Sequence, residues 1–181
     1  AALLVSFFSN TEIQLTDIIV KNSSLRFVNN PTTFPSQSFM GLIVGRASST
    51  GVAVKQSFIR NCLVEYDTIY YSSTFQPNSG HFIGGIAGTS PDGSGTIPFE
   101  YNASRFNYFY SRTGSTLRKN VGGGLIGDIS TPSASFSYNY SHSNKADFGN
   151  GGSPNNYPWG WGGIFGYTGA NNIHTFNQNY A

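Results

Sequence analysis

Residues 81–90 read HFIGGIAGTS, with three glycines around an apolar pair. The same pattern recurs along the chain as a small residue, an apolar centre and a second small residue. The copies are ALLVS at 2–6, GLIVG at 41–45, GGIAG at 84–88, GGLIG at 123–127 and GGIFG at 162–166. Their openings are 39 to 43 residues apart. A fixed period of this length is typical of architectures built from stacked repeats.

A second element follows each copy and places an apolar residue three positions before an asparagine. Its asparagines are Asn22, Asn61, Asn102, Asn139 and Asn179. A third apolar segment follows in the first three copies, as LRFV, TIYY and FNYFY, and shrinks to KADF in the fourth. All of these segments are short, rich in β-branched and aromatic residues, and separated by Gly, Pro, Ser and Asn clusters. This is the chemistry of strands and turns.

The repeats predict an all-β fold, a β-solenoid or β-helix of about five stacked repeats of about 39 residues, with three short strands per coil. One repeat cannot bury its apolar side chains alone, so neighbouring coils share a core. The 181 residues suit a single solenoid domain over 1–181, as part of a longer or a polymerising chain. The variable segments between strands, such as 149–157, are expected to project at one corner.

The GGIAG, GGLIG and GGIFG cores, each followed by an apolar residue and an Asn with a small or Tyr neighbour, resemble GLUG-type repeats. The likeness covers essentially the whole chain. It departs from the family pattern at ALLVS in the first copy and at the missing second glycine of GLIVG. The resemblance implies a secreted or cell-surface β-solenoid used in adhesion or surface architecture, and it implies no catalytic residues.

The glycines predict a structural role rather than a phosphate-binding loop. Such a loop needs a lysine or a following helix, and no copy has either. Glycine instead lets neighbouring backbones approach closely and permits positive φ at a corner. The residues given this role are Gly41, Gly45, Gly84, Gly88, Gly123, Gly127, Gly162 and Gly166, with Asn61 and Asn179 as repeat asparagines outside any sequon.

Composition and residue placement disfavour several function classes. Charged residues make up 10% of the chain and the formal net charge is +2, so we expect no nucleic-acid partner. No apolar run is long enough for a transmembrane helix, so we expect no membrane insertion. The eight acidic residues and three histidines do not fall at equivalent repeat positions, which disfavours an enzyme, a metal site or a cofactor. Cys62 is expected to be buried in the core.

The asparagine column has two interpretations. In a stacked solenoid, asparagines at one corner form an amide ladder, and a buried ladder residue cannot carry a glycan. Alternatively, Asn22, Asn102 and Asn139, which begin the sequons NSS, NAS and NYS, face solvent and are N-glycosylated. The ladder accounts for all five copies and glycosylation for three.

An aromatic stretch, NNYPWGWGGIFGY at 155–167, is the best local candidate for a ligand site. Trp159 and Tyr157 are its candidate glycan-stacking residues. The alternative places one tryptophan in the core and one under the loop. Trp161 occupies the repeat position of Met40 and Ile83 and is expected to pack over glycines.

These features favour a non-enzymatic structural subunit of an extracellular filament or cell-surface appendage. Neither end of the sequence carries a charged cap, so we expect either that the protein continues beyond these residues or that the end coils stack on copies of the same chain, a geometry that favours head-to-tail assembly. The alternative is an adhesin stalk or a glycan-binding surface module that uses the projecting loops.

Overall fold

The structure, a computed structural model, describes ten ranges of the chain: 2–9, 14–29, 38–48, 58–73, 81–89, 98–113, 120–129, 133–148, 159–168 and 173–181. Within these ranges every regular element is a β-strand, and neighbouring strands are parallel. The chain is therefore an all-β solenoid of about five coils, and this prediction is confirmed. We number the coils 1 (2–29), 2 (38–73), 3 (81–113), 4 (120–148) and 5 (159–181).

Successive coils stack through five parallel sheets, named A to E in chain order. Sheet A contains β1 (Val5–Ser9), β6 (Val44–Ser48), β11 (Ala87–Thr89), β16 (Ile126–Ile129) and β21 (Phe165–Thr168). Sheet B contains β2 (Gln14–Thr16), β7 (Phe58–Arg60), β12 (Pro98–Glu100), β17 (Ser133–Ser137) and β22 (Ile173–Asn177). Sheet C contains β3 (Ile19–Lys21), β8 (Leu63–Glu65), β13 (Ala103–Arg105) and β18 (Tyr140–His142). Sheet D contains β4 (Ser24–Asn29), β9 (Thr68–Ser73), β14 (Tyr108–Thr113) and β19 (Lys145–Phe148), and sheet E contains β5 (Ser38–Gly41), β10 (His81–Gly84), β15 (Asn120–Gly123) and β20 (Trp159–Gly162).

The second and third apolar segments predicted per coil coincide with strands, whereas the first does not, and the structure divides the coil more finely. The glycine core spans a two-residue bend, at 42–43 in coil 2, where sheet E ends and sheet A begins. The second and third segments of coils 2 and 3 form strands of sheets B and D. A further three-residue strand, in sheet C, lies between them, so a complete coil carries five short strands.

The corners between sheets B and C and between C and D share one backbone conformation. The first residue of each corner has a positive φ, between 48° and 57°. Those residues are Asp17, Asn61, Tyr101, Tyr138 and Gln178 at the B–C corner and Asn22, Tyr66, Phe106 and Ser143 at the C–D corner. The next residue points inward, so each corner presents one exposed and one more buried side chain.

The hydrophobic core receives side chains from every sheet. Ile59 of sheet B, Val64 of sheet C, Ile69 of sheet D, Ile83 of sheet E and Ala87 of sheet A are all buried in it. Along strands such as β7, β12 and β13 a buried residue stands between two more exposed ones, as the pleat of a β-strand requires, whereas β16 of sheet A is buried throughout. The same columns continue from coil to coil, which gives the solenoid one continuous core.

Sheets E and A meet at glycines because their backbones touch there. A Cβ on Gly84 would lie 2.6 Å from the backbone nitrogen of Gly127 and 2.8 Å from Cα of Ile126, both in the next coil. Backbone atoms of an adjacent coil are similarly close to Gly41, Gly88, Gly123, Gly127 and Gly166. A Cβ on Gly162 would meet Phe165 of its own coil. Gly45, the coil 2 equivalent of Gly88, is buried. Backbone, rather than a side chain, occupies the space that these glycines leave.

The register of the first two coils differs from the predicted alignment. Strand β2 pairs with β7, whereas β3, which contains the IVK of the predicted second element, pairs with β8. In coil 2, Ile59 rather than Phe58 is the partner of Phe99. The alignment is wrong by one residue in coil 2, and a one-residue slip exchanges inward and outward side chains. Ile59 is accordingly buried, and Phe58 is less so.

Candidate functional site

Asparagine side chains hydrogen-bond successive coils along the B–C corner. The Oδ1 atom of Asn139 accepts a hydrogen bond from the backbone N–H of Asn102 at 3.1 Å, and its Nδ2 donates to the carbonyl of Phe99 at 2.8 Å. Asn102 and Asn179 make the equivalent bonds to the coils before them. Adjacent amides are also bonded to each other, at 3.0 and 2.9 Å. In coils 3, 4 and 5 one side chain thus pairs backbone groups of the preceding corner.

This amide ladder has three asparagines in the described residues, and the prediction of five is wrong. Ile18 and Cys62 occupy the column in coils 1 and 2. Asn22 and Asn61, which were predicted to belong to it, are exposed first residues of corners. The Nδ2 of Asn61 donates to the carboxylate of Asp17 at the equivalent corner of coil 1. Asn22 and Asn61 were both misplaced because the predicted alignment of coils 1 and 2 differs from the observed one.

Cys62 is buried, as expected, and its thiol stands where later coils have an amide. The backbone N–H of Cys62 donates to Oδ1 of Asn102 at 3.0 Å. Its Sγ lies 4.0 Å from the carbonyl oxygen of Leu15 and 3.3 Å from that of Arg60, so the thiol is a weak substitute for an Nδ2 donor. Burial raises the pKa of the thiol, which keeps it protonated at neutral pH.

A second polar column runs along the C–D corner and was missed by the sequence analysis. Asn107 accepts from the backbone N–H of Asp67 at 2.8 Å and donates to the carbonyl of Val64 at 3.1 Å. Asn144 repeats these bonds one coil later, to Asn107 and Ser104. The available signal was a second asparagine five residues after the first, in coils 3 and 4. It is weak because Asp67 and Ser23 take the position in coils 2 and 1.

Asp67 is a carboxylate in a buried amide column. Its Oδ1 accepts from the backbone N–H of Ser23 at 2.7 Å, and its Oδ2 accepts from that of Glu65 at 3.0 Å. Burial raises the pKa of Asp67, and the nearby charge of Glu65 adds to the rise. An ionised carboxylate has no proton for a carbonyl of the preceding coil, whereas Asn107 and Asn144 each donate one.

Two of the three sequon asparagines, Asn102 and Asn139, belong to the amide ladder. Asn102 is 1% exposed and Asn139 is 0% exposed, and both amide nitrogens are hydrogen-bonded within the protein. A sugar on either nitrogen is sterically incompatible with the stacked coils. Asn22 is exposed, and its side chain is open to modification.

Four rings form a contiguous cluster across the outer face of sheet C. Tyr66 stacks on Phe106 at 5.1 Å with an interplanar angle of 9°, and Phe106 meets His142 edge-on at 5.6 Å. His142 in turn contacts Tyr140 at 5.7 Å. The cluster therefore joins coils 2, 3 and 4, and we call Tyr66, Phe106, His142 and Tyr140 the aromatic face.

An ion-pair network borders the aromatic face on sheet C. The carboxylate of Glu65 lies 2.8 Å from Nζ of Lys21 and 2.6 Å from Nε of Arg105, its register neighbours in coils 1 and 3. The hydrogen bond from Lys21 is the main reason that the pKa of Glu65 lies below its ordinary value. Glu65 is buried under the two cations, whose side chains remain exposed.

The predicted aromatic stretch is only partly described. Tyr157 lies outside the described residues, and of Trp159 the structure gives only the backbone, as the first residue of β20. Their glycan-stacking role stays a prediction. Trp161 shares a column with Ile83 and with Gly122, and its ring lies 4.9 Å from that of Phe109. Gly122 carries no side chain in the intervening coil, which leaves room for this large ring.

In the part of the chain that the structure describes, no three His, Cys, Asp or Glu side chains are placed to hold a metal ion. The same part contains no helix long and apolar enough to span a membrane. Comparisons with protein-family models, with curated proteins and with solved structures give no match. The resemblance to GLUG-type repeats therefore stays a prediction.

Proposed function

We propose that this chain is a non-enzymatic structural subunit of an extracellular filament or cell-surface appendage, and that its coils stack on coils of other copies. The observation that carries the proposal is that each of coils 3, 4 and 5 pairs a backbone N–H and a carbonyl of the coil before it through one asparagine. Asn139 pairs groups of coil 3, and Asn179 pairs the same groups of coil 4. Such contacts repeat without limit, so the architecture suits a rod that grows along its axis.

Aromatic side chains support the same role because they stack on equivalent positions of neighbouring coils. Tyr101 and Tyr138 lie 4.9 Å apart at an interplanar angle of 1°, and Tyr70 and Tyr110 lie 4.5 Å apart at 5°. In the core, Phe99 and Phe136 stack at 5.4 Å. Much of the ring surface thus contacts the next coil, which stiffens the rod along its axis.

Coil 1 offers an apolar surface on which a further coil can stack. Its inward side chains are only partly buried, whereas their equivalents in coil 2 are buried. The inward residues of coil 1 are Leu15, Ile18, Val20, Leu25 and Phe27. Association with a coil of a second copy would remove this surface from water, and burial of apolar area favours such association.

Sedimentation velocity at increasing protein concentration, with electron microscopy of the same samples, tests the proposal. We expect growing linear assemblies for the wild type. Val20→Lys, which places a charge on the stacking surface, is expected to stop growth. Ile19→Lys is the matched control, because Ile19 is the outward neighbour in the same strand and is already exposed. A monomeric wild type at every concentration, or equal growth of both variants, would overturn the proposal.

A further inference from the structure

The aromatic face presents more apolar surface to solvent than the fold requires. The side chains of Tyr66, Phe106 and Tyr140 are 55%, 41% and 39% exposed although they point away from the core. Their contacts with one another and with His142 make a single patch rather than scattered exposed residues. Contiguous exposed apolar patches mark interaction sites.

Backbone conformation at the C–D corner decides which substitutions the aromatic face tolerates. Tyr66 and Phe106 have φ values of 56° and 57°, in the left-handed region that bulky L-residues rarely adopt. The equivalent corners of coils 1 and 4 carry Asn22 and Ser143, small polar residues that fit there more easily. Tyr101 and Tyr138 adopt the same positive φ at the B–C corner, so aromatic residues in this conformation recur in the solenoid and are not confined to the aromatic face.

The size of the surface argues against a protein partner. Sheet C and its corners span about 16 Å across and about 14 Å along the axis, at the usual strand rise and spacing. The resulting flat area of about 220 Å² is well below the roughly 800 Å² of accessible surface that each partner buries in a stable protein interface. A narrow extended ligand fits this surface better.

The chemistry of the surface fits sugars. Rings contact the apolar faces and edges of pyranose units, and a few polar groups fix their orientation. Lys21 and Arg105 supply donors to sugar hydroxyl groups, and Glu65 offsets much of their charge. The network keeps one net positive charge, which is too little to favour a polyanion such as nucleic acid.

We propose that the aromatic face binds a neutral polysaccharide chain laid along the solenoid axis. The cluster spans three coils, so several consecutive sugar units contact one protein molecule. The surface lies on the side of the rod, away from the stacking surface of coil 1. Binding is therefore independent of the proposed end-to-end assembly, and either proposal can fail alone.

Co-sedimentation with cellulose and chitin, and affinity electrophoresis in xylan, test this proposal. We expect the wild type to be retained by at least one of these polymers. Phe106→Asn and Tyr140→Ala are each expected to weaken retention about tenfold, which corresponds to the loss of one well-placed ring contact. Phe106→Asn should leave thermal stability unchanged or higher, because asparagine tolerates positive φ.

Tyr110→Ser is the matched control, since Tyr110 stacks on Tyr70 in sheet D, outside the aromatic face. It should not alter retention. The proposal is overturned if none of the three polymers retains the wild type, if the double variant Phe106→Asn/Tyr140→Ala is retained equally, or if Tyr110→Ser weakens retention as much as the others. Sedimentation of the double variant without polysaccharide should match that of the wild type.

Discussion

The joint between coils 3 and 4 and the joint between coils 1 and 2 use the same two corners with different side chains. Between coils 3 and 4, Asn139 and Asn144 each accept a backbone N–H and donate to a carbonyl of coil 3. Between coils 1 and 2 the same positions hold the thiol of Cys62 and the carboxylate of Asp67. Backbone shape is thus kept, whereas the hydrogen bonding is complete at one joint and partial at the other.

This difference separates what specifies the fold from what holds neighbouring coils together. Both joints have the same positive-φ corners and the same parallel register. An amide supplies a donor and an acceptor at once, whereas a thiol is weak in both roles and a carboxylate lacks the donor. We therefore expect coil 1 to be the least firmly attached of the first four coils.

A glycan at the joint between coils 3 and 4 is expected to disturb folding more than any substitution considered below. In a glycosylating expression host, folded protein should carry a glycan at Asn22 only, because Asn102 and Asn139 are buried and bonded. Chains glycosylated in the ladder should be found only in aggregated material. Intact-mass analysis of both fractions, before and after deglycosylation, checks this. Folded protein with sugar at Asn139 would contradict the ladder.

Removing one ladder amide is the next largest effect. Asn139→Ala leaves the N–H of Asn102 and the carbonyl of Phe99 without this partner, and we expect a loss of about 3 kcal/mol. Cys62→Ala at the partial joint should cost only about 1 kcal/mol. Guanidinium unfolding of the two variants measures the contrast, and equal losses would show that the two joints do not differ.

The glycine-centred repeat could be predicted because its spacing is nearly constant and backbone contact admits little besides glycine. The asparagine column could be predicted only from coil 3 onward. In coils 1 and 2 the second predicted element ends in an exposed corner asparagine, Asn22 or Asn61, instead of a buried one. The sequence does not show which register buries the apolar side chains. The aromatic face was missed because its rings come from three coils and meet only once the register is known.

Stability at the joint between coils 1 and 2 should depend on pH through Asp67, whereas the joint between coils 3 and 4 has amides at the corresponding positions. The pKa of Asp67 is raised above its ordinary value of 3.8, so Asp67 favours folding below that pH, and this contribution is lost as pH rises through the raised pKa. Asp67→Asn should abolish this loss and stabilise the protein by less than about 1 kcal/mol at neutral pH, because its Nδ2 gains a donor function but cannot accept from the N–H of Glu65. The lowered pKa of Glu65 acts oppositely, with stability lost as pH falls.

Thermal unfolding of wild type and Asp67→Asn across pH 3 to 8 separates the two groups, because Glu65 is present in both proteins. Identical pH profiles would show that Asp67 is not linked to folding. Ser23→Ala serves as a control, since it keeps the backbone N–H that Asp67 accepts.

Replacing the Cys62 thiol with an amide should change stability least. Cys62→Asn supplies an Nδ2 donor for the carbonyl of Leu15, which the thiol reaches only at 4.0 Å. We expect a gain of about 0.5 kcal/mol, reduced by the slightly larger side chain. Differential scanning calorimetry of Cys62→Asn and of Cys62→Ser measures the change in stability. If Cys62→Asn loses as much stability as Cys62→Ser, an amide does not fit at this position of coil 2.

Hydrogen exchange of individual backbone amides at several protein concentrations measures how firmly each coil is held and whether coils of other copies stack on coil 1. In dilute solution the N–H groups of Asn102 and Asn139 should exchange slowly, whereas those of Ile18 and Ser23 in coil 1 should exchange faster. As concentration rises and coils of other copies stack on coil 1, its protection should approach that of coil 3. Coil 1 protection that is independent of concentration, or equal to that of coil 3 in dilute solution, would contradict the account.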